Sequence, residues 1–236
     1  METETMDLDQ LAVYLHRDVR EVTKLATRGY LPGKKVGGAW RFASSDINHW
    51  IETQMHAFTE QELAALERRG GGVSVATEPL VSSLLSDGTM AVPMHASTRA
   101  SVLKELVGLA EQSWQIYDGD ALHVAIKHRE EMGSTALPSG VAIPHPHRPL
   151  SAKAQGEAIV AFARTGRGIP FGAPDGGLTD LFFLVSCRDA TTHLRVLARL
   201  SRMMLRPDFL DELRATETAQ DALVLIERTE RELVEE

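Results

Sequence analysis

The beginning of the chain shows two short helical patterns. Apolar residues recur at helical spacing from Leu8 to Leu15 and again from Val22 to Ala26, which predicts two helices. Asp7 and Asp18 stand where these helices would begin, and Gly29 stands where the second would end. The spacing leaves room only for a tight turn between them.

A glycine turn and a third helical pattern follow. Residues 31–36 and 39–42 are short strand-like runs on either side of Gly37-Gly38, which is the pattern of a β-hairpin. Ser45 is predicted to cap a helix whose apolar residues, Ile47, Trp50 and Ile51, face inward. These elements predict a small winged helix-turn-helix domain over residues 1–57.

Residues 58–77 are predicted to form a linker. Thr59 and Glu62 mark the start of a short helix through Arg69, and the run Gly70-Gly71-Gly72 ends it. A glycine run is flexible, so we expect the chain on either side of it to reorient.

Helical and strand-like patterns alternate from residue 78 onward. The helical stretches are 98–113, 119–132, 190–205 and 217–234, and the strand-like runs are 141–144, 157–164 and 180–187. This alternation predicts an α/β domain over residues 78–236, in which helices flank a mixed sheet.

Composition changes this picture mainly through the placement of charge. The 236 residues are 43% hydrophobic, enough for two domains with cores, and the net charge is −8. Residues 17–41 nevertheless carry seven basic and two acidic side chains, a local net charge of +5. Such a window is typical of a nucleic-acid contact confined to one module, although a solvated helix face gives the same pattern.

The cysteine count and the hydropathy of the sequence indicate the cellular compartment to expect. The single cysteine, Cys187, excludes an intrachain disulfide, and its place at the end of an apolar run indicates a buried strand thiol. The acidic N-terminus lacks the apolar core of a signal peptide, and no run approaches the roughly 18 apolar residues of a membrane span. We therefore expect a soluble, cytoplasmic protein.

Four strings in the first domain carry a family resemblance: Leu8–Leu15, Glu21–Val36, Trp40-Arg41-Phe42 and Trp50-Ile51. They resemble excisionase-like winged helix-turn-helix domains. The resemblance implies that the second helix enters the major groove of DNA and that the wing contacts the adjacent backbone. The implied recognition residues are Arg17, Arg20, Thr23, Lys24 and Arg28, and the implied phosphate contacts are Lys34, Lys35 and Arg41.

The alternative for this domain is a protein-binding role, because Asp18 and Glu21 on the second helix would repel phosphate groups. The segment from Gly29 to Lys35 is one residue too short for a phosphate-binding loop, and it lacks the Ser or Thr that would hold magnesium. We interpret it as the entry to the wing.

Candidate chemistry lies at the end of a strand-like run in the second domain. His145 follows Val141–Ile143 and Pro144, whose ring restrains the backbone. Histidine suits a phosphoryl acceptor because imidazole is both neutral and basic near pH 7. Arg129 would give the phosphoryl oxygens a permanent cation, and His193 would add a donor from the start of a helix. Ser134 and Thr135 are further candidate donors, through their hydroxyl or backbone groups.

Several separated motifs along the second domain support this interpretation of His145. They are Arg129-Glu130, Ser134-Thr135, Gly140–His145, Ile169-Pro170-Phe171, Asp175-Gly176 and His193–Ala198. In this order and spacing they resemble the type 2 enzyme IIA domain of the bacterial sugar phosphotransferase system, over residues 78–232. The resemblance implies that His145 is phosphorylated by the phosphohistidine of the carrier HPr. No cofactor is expected.

The residues after the histidine depart from that family, many of whose members have glycine there. Pro146 removes a backbone N–H group that could face the phosphate, and His147 and Arg148 are candidates to replace it. Zinc held by His145, His147 and His193 is a weaker alternative, because no cysteine or carboxylate is placed to complete a usual ligand set. We predict no metal site.

The two domains together predict a DNA-binding regulator that responds to phosphorylation of His145. A membrane domain and a second phosphorylated domain with a reactive cysteine are both missing from this sequence, so we do not expect the chain alone to transport or phosphorylate a sugar. One alternative is a phosphoryl carrier whose N-terminal module docks a protein target. Another is a sensor that is not phosphorylated and uses the fold as a ligand pocket.

Overall fold

The structure is a computed structural model that describes residues 5–15, 17–68 and 80–235. His16, in the predicted break between the first two helices, lies outside these residues, as do Arg69 and the run Gly70-Gly71-Gly72. The chain divides into two compact units, Met1–Ala65 and Leu66–Glu236. The division falls inside the predicted linker.

The first part of the chain folds into short elements around a hairpin. They are β1 (Thr5–Met6), α1 (Leu8–Leu15), α2 (Val19–Thr27), β2 (Lys34–Val36), β3 (Ala39–Ala43), α3 (Ser44–Gln54), a 3-10 turn (Met55–Ala57) and α4 (Glu60–Glu67). The predicted order of helix, helix, hairpin and helix is confirmed.

Local hydrogen bonds explain the bounds of α2. The Asp18 carboxylate accepts the backbone N–H of Arg20 at 2.8 Å, which satisfies one free donor at the start of the helix. Gly29 takes a φ of +76° and donates its N–H to the Ala26 carbonyl. A left-handed residue at this position favours glycine, so the chain turns out of the helix where the sequence predicts.

The hairpin turn lies at Gly37-Gly38, whose φ angles of +59° and +83° fit the two-residue turn that joins twisted strands. Two details differ from expectation. Strand β1 adds to the sheet in the order β1-β3-β2, and two residues are too few to show a period in the sequence. Ser45 does not cap α3, because β3 runs directly into a helix that already begins at Ser44.

Buried apolar side chains from these elements form the core of the first unit. Ile47 and Ile51 of α3 are fully buried, as predicted, whereas Trp50 is half-buried. The other buried side chains of this core include Leu11, Ala12, Val22, Ala26 and Phe42.

The second unit is built on a four-stranded sheet. Its elements are β4 (Met90–Met94), α5 (Arg99–Glu111), α6 (Gly119–Met132), β5 (Val141–Ala142), β6 (Ala158–Ile169), β7 (Thr179–Cys187), α7 (Ala190–Met204), α8 (Phe209–Ala215) and α9 (Ala219–Glu235). The strand order is β4-β6-β7-β5; β6 and β7 are antiparallel, whereas β4 runs parallel to β6 and β5 parallel to β7. The predicted mixed sheet flanked by helices is confirmed.

Two elements of this unit were not predicted. Strand β4 contains Pro93, which cannot donate to a ladder, and its position at the edge of the sheet is what allows a proline there. Helix α8 has only seven residues, two turns that show no clear amphipathic period.

One face of the sheet packs against α5 and α6. The apolar cluster includes Leu106 and Leu122 from the helices and Ala161, Phe182 and Leu184 from the strands. Because β5 is the other edge of the sheet, the residues that follow it lie where the end of α6 and the start of α7 can reach them. Among the described residues, no helix combines the length and apolarity needed to cross a membrane.

Candidate phosphohistidine site

The backbone before His145 is fixed by the neighbouring strand. Val141 pairs with Leu181 of β7, and the N–H of Val185 donates to the Pro144 carbonyl at 3.0 Å. The pairing of the edge strand with β7 therefore continues to the residue next to His145, which gives the imidazole a defined starting point.

Two hydrogen bonds define the state of the His145 ring. Nδ1 lies 2.7 Å from the Ile143 carbonyl oxygen, which can only accept, so Nδ1 carries the proton. Nε2 then presents its lone pair, and Nε of Arg129 donates to it at 3.2 Å. The lone pair of the ring therefore lies on Nε2, and a permanent cation stands beside it.

Arg129 and His193 approach His145 from two helices. Arg129 lies in the last turn of α6, and its Nη1 donates to the Gly133 carbonyl at 2.9 Å. His193 lies in the first turn of α7, which begins where Asp189 accepts the Thr192 N–H at 2.8 Å. The imidazole rings of His145 and His193 are 5.0 Å apart between centroids and tilted by 54°. The structure thus brings together the three residues predicted from separate parts of the chain.

Ser134 and Thr135 lie in the turn that follows α6. The Ser134 hydroxyl donates to the Phe171 carbonyl at 3.2 Å, and the Thr135 hydroxyl donates to the Glu130 carboxylate. The hydrogen bonds described for these two hydroxyls therefore hold the turn itself.

Glu130 and Arg99 complete this region. The sequence analysis included Glu130 in a family motif without giving it a role, and it did not single out Arg99. Arg99 Nη2 donates to Glu130 Oε2 at 2.6 Å and to the Glu130 carbonyl at 2.7 Å. Its guanidinium carbon also lies 5.3 Å from the centroid of the Phe171 ring. Glu130 follows Arg129 on the buried face of α6, and two charged residues on an otherwise apolar face are a signal that could have been found. Arg99, the first residue of α5, gave no such signal.

Cys187 ends β7, and the structure confirms it as a buried thiol. Burial, with a smaller contribution from the Asp189 carboxylate, raises the pKa of the Cys187 thiol to about 12. A thiol in this state is not a nucleophile at neutral pH.

The candidate DNA-contacting residues of the second helix form one surface with one exception. Arg20, Lys24 and Arg28 are exposed and spaced by four, so they share a face of α2, and Thr23 borders it. Arg17 is the exception, because it donates to Glu21 at 2.7 Å and to Glu62 at 3.2 Å. These two carboxylates offset its charge.

The wing presents its cations on two faces. Lys34 stands opposite Arg41 across the hairpin, so these exposed side chains share one face of the two strands. Lys35 stands opposite Trp40 on the other face, and its Nζ lies 5.3 Å from the centroid of the indole ring. Of the three predicted phosphate contacts, two therefore lie on one face of the hairpin and one lies on the other.

Comparison with known proteins assigns both parts of the chain. Residues 83–229 match the family described as phosphoenolpyruvate-dependent sugar phosphotransferase system, EIIA 2, and residues 5–55 match a helix-turn-helix domain. A nitrogen regulatory protein of Bradyrhizobium diazoefficiens is 31% identical over 142 residues, which cover 59% of this chain and 90% of that protein. A fructose-specific EIIABC component of Bacillus subtilis is 29% identical over 146 residues, but this chain spans only 22% of its length.

Solved structures agree with this assignment. The nitrogen regulatory protein IIA-Ntr from Neisseria meningitidis is 27% identical with a TM-score of 0.56, and the alignment covers 63% of this chain and 99% of that one. The IIA mannitol protein of Escherichia coli is 18% identical with a TM-score of 0.53, covers 60% and 98% of the two chains, and supports the fold. The chain therefore belongs to the EIIA type 2 family of the phosphoenolpyruvate-dependent sugar phosphotransferase system, with a helix-turn-helix domain placed before its EIIA domain.

Proposed function

We propose that the protein is a DNA-binding regulator whose EIIA domain accepts a phosphoryl group from phospho-HPr on Nε2 of His145. The observation that carries this proposal is the pair of bonds on the ring. The Ile143 carbonyl holds the proton on Nδ1, which leaves Nε2 as a neutral lone pair next to Arg129. An acceptor in this form needs no base to deprotonate it before it attacks.

The transfer itself exchanges one N–P bond for another. The Nε2 lone pair attacks the phosphorus of the donor phosphohistidine, and the electron pair of the breaking bond returns to the donor imidazole. His145 keeps its proton on Nδ1, where the Ile143 carbonyl stabilises the positive charge that develops on the ring.

Two neighbours would stabilise the charge of the transferred group. The guanidinium of Arg129 is a permanent cation 3.2 Å from Nε2, and its forked N–H groups suit phosphoryl oxygens. His193 reaches the ring from the first turn of α7, where the positive end of the helix dipole favours an anion.

Labelling tests the acceptor. Incubation with labelled phosphoenolpyruvate, enzyme I and HPr should label the wild-type protein and leave His145→Ala unlabelled. His95→Ala, which changes an exposed histidine of the same unit, is the matched control, and it should still be labelled. Label retained by His145→Ala would contradict the assignment of the acceptor. Failure of the wild type to be labelled would contradict the proposal and favour a ligand-binding sensor.

The output of the proposed regulator is DNA contact through α2 and the wing. Arg20, Lys24 and Arg28 would face the major groove, while Lys34 and Arg41 would contact phosphates from the shared face of the hairpin. Phosphorylation adds nearly two negative charges to the protein and thereby changes the electrostatic cost of binding a polyanion.

Band shifts test this output without knowledge of the operator. Duplexes selected from a random pool, separately by the phosphorylated and the unphosphorylated protein, serve as probes for both forms. We expect the two forms to differ in affinity for the same duplex. Equal affinities would contradict a phosphorylation-dependent switch.

A second candidate is a phosphoryl carrier whose helix-turn-helix domain binds a protein. The carboxylates on and around α2 favour it, since Glu21 and Glu62 offset the charge of Arg17 and Asp18 is exposed. Labelling of His145 combined with no duplex retained in the selection would favour this candidate over the regulator.

A further inference from the structure

The turn between α6 and β5 is closed by a buried carboxylate. The Glu130 side chain is 2% exposed. It accepts the backbone N–H of Thr135 at 3.3 Å and also accepts the Thr135 hydroxyl, while Arg99 donates to it at 2.6 Å. A carboxylate so deeply buried is stable only when its charge is compensated, and Arg99 provides that compensation.

One path of hydrogen bonds leads from this turn to Nε2 of His145. Gly133 lies inside the turn that the Glu130–Thr135 bonds close, and its carbonyl accepts Nη1 of Arg129 at 2.9 Å. That bond orients the guanidinium, so that Nε of Arg129 meets Nε2 of His145 at 3.2 Å.

A second path leads from the same turn to Nδ1. The Thr135 carbonyl accepts the N–H of Ile143 at 3.4 Å, and the Ile143 carbonyl in turn accepts Nδ1 of His145 at 2.7 Å. The bridge between Ala136 and Ala142 holds the same two segments together. Both nitrogens of the ring are thus positioned from the segment that Glu130 fastens.

We propose that Glu130, with Arg99 as its counter-ion, is a positioning residue that fixes the tautomer of His145 and thereby selects Nε2 as the phosphoryl acceptor. This inference rests on the proposed phosphorylation of His145. Its physical basis is that a ring nitrogen keeps its proton where a fixed acceptor faces it. Strand β7 holds the backbone that carries this acceptor on one side, and the turn that Glu130 closes holds it on the other. Thr135 acts with Glu130, since it supplies both the N–H and the hydroxyl that the carboxylate binds.

The test reads the tautomer directly, before any phosphorylation. Imidazole ¹⁵N spectra of the wild-type protein should show Nδ1 of His145 protonated and Nε2 unprotonated. Glu130→Gln removes the charge at nearly constant volume, and it should give a mixture of the two tautomers. The exposed neighbour provides the control: Glu131→Gln should reproduce the wild-type spectrum.

Thr135 supplies an independent pair of variants. Thr135→Val loses the hydroxyl and should reproduce the mixed tautomers, whereas Thr135→Ser keeps the hydroxyl and should retain the wild-type spectrum. Should Glu130→Gln fail to fold, the Thr135→Val spectrum decides the question. A wild-type His145 spectrum in whichever of these variants folds would overturn the proposal.

Transfer kinetics give a second readout. In Glu130→Gln we expect kcat for phosphorylation by phospho-HPr to fall about tenfold or more, because a misplaced acceptor atom reacts slowly. KM should stay unchanged, since a buried carboxylate does not contact the donor. A change in KM alone would contradict a positioning role. If the wild type is not phosphorylated at all, the proposed function fails, while the ¹⁵N spectra still decide the role of Glu130.

Discussion

At the scale of single residues, the proposed acceptor and its neighbours in the EIIA domain are buried polar side chains. Arg129, Glu130 and His145 are all buried, and each makes specific hydrogen bonds inside the protein. Burial makes such bonds strong because water does not compete for them, and it also makes their loss costly. Substitutions here should therefore change function sharply even when they look conservative.

Arg129→Lys is one such substitution. Arginine donates from Nε to His145 and from Nη1 to Gly133 at the same time, whereas lysine has one nitrogen and cannot do both in this geometry. We expect the rate of labelling from phospho-HPr to fall by roughly a hundredfold. Lys127→Arg, an exposed change two residues earlier, is the control. An unchanged rate in Arg129→Lys would show that simultaneous donation to His145 and Gly133 is unnecessary.

Cys187 gives a prediction about pH. Because its pKa is raised from 9.0 to about 12, the thiol of the folded protein stays protonated at pH 8 and should not react with a disulfide reagent until the protein unfolds. The unfolded thiol ionises first as pH rises. The stability that this group contributes is therefore complete below pH 9 and declines between pH 9 and about 12. Rapid reaction of the native protein would contradict this account.

At the scale of elements, the sequence predicts best where a helix is long and its ends are marked. Helix α6 runs from Gly119 to Met132 as predicted, because Asp118 caps it and an apolar face repeats along it. Strand β5 was predicted as a run over residues 141–144, but only Val141–Ala142 pair in the sheet. Strand β4 contains a proline and was not predicted, because it forms through pairing with β6, which a local pattern does not show.

Trp114, three residues after the end of α5, has a backbone conformation that tryptophan rarely adopts. Trp114 has a φ of +58° and is 86% exposed. Since this left-handed position suits glycine, Trp114→Gly should stabilise the protein by about 1 kcal/mol and raise Tm by about 2–4 °C. Calorimetry measures both. Lys104→Gly, inside α5, should have the opposite effect. A lower Tm for Trp114→Gly would mean that the indole makes stabilising contacts.

The two faces of the wing are expected to contribute differently to DNA binding. If Lys34 and Arg41 contact phosphates, replacing either by alanine should weaken DNA binding similarly for all DNA sequences. It should also reduce the slope of the logarithm of the binding constant against the logarithm of the salt concentration by about one. Lys35→Ala should have a smaller effect, because Lys35 lies on the face of Trp40. Affinity measured over a range of salt concentrations checks this. Equal effects of all three substitutions would argue against contact through one face.

At the scale of the whole molecule, the order of motifs was enough to predict the family and the two kinds of domain. That Arg129, His145 and His193 lie together could be predicted, because their types and spacing follow the family pattern. The protonated nitrogen of His145 could not, since its partner is the backbone carbonyl of Ile143, and any residue has a carbonyl. The role of Glu130 was missed for a related reason: its contacts depend on how a turn closes.

Nε2 of His145 is the proposed acceptor of the phosphoryl group. The most direct test phosphorylates the full chain with phosphoenolpyruvate, enzyme I and HPr, locates the modified residue by mass spectrometry and identifies the bonded nitrogen by ³¹P NMR. The predicted result is a phosphoryl group on Nε2 of His145 alone. A phosphoryl group on Nδ1, or on any other residue, would contradict it.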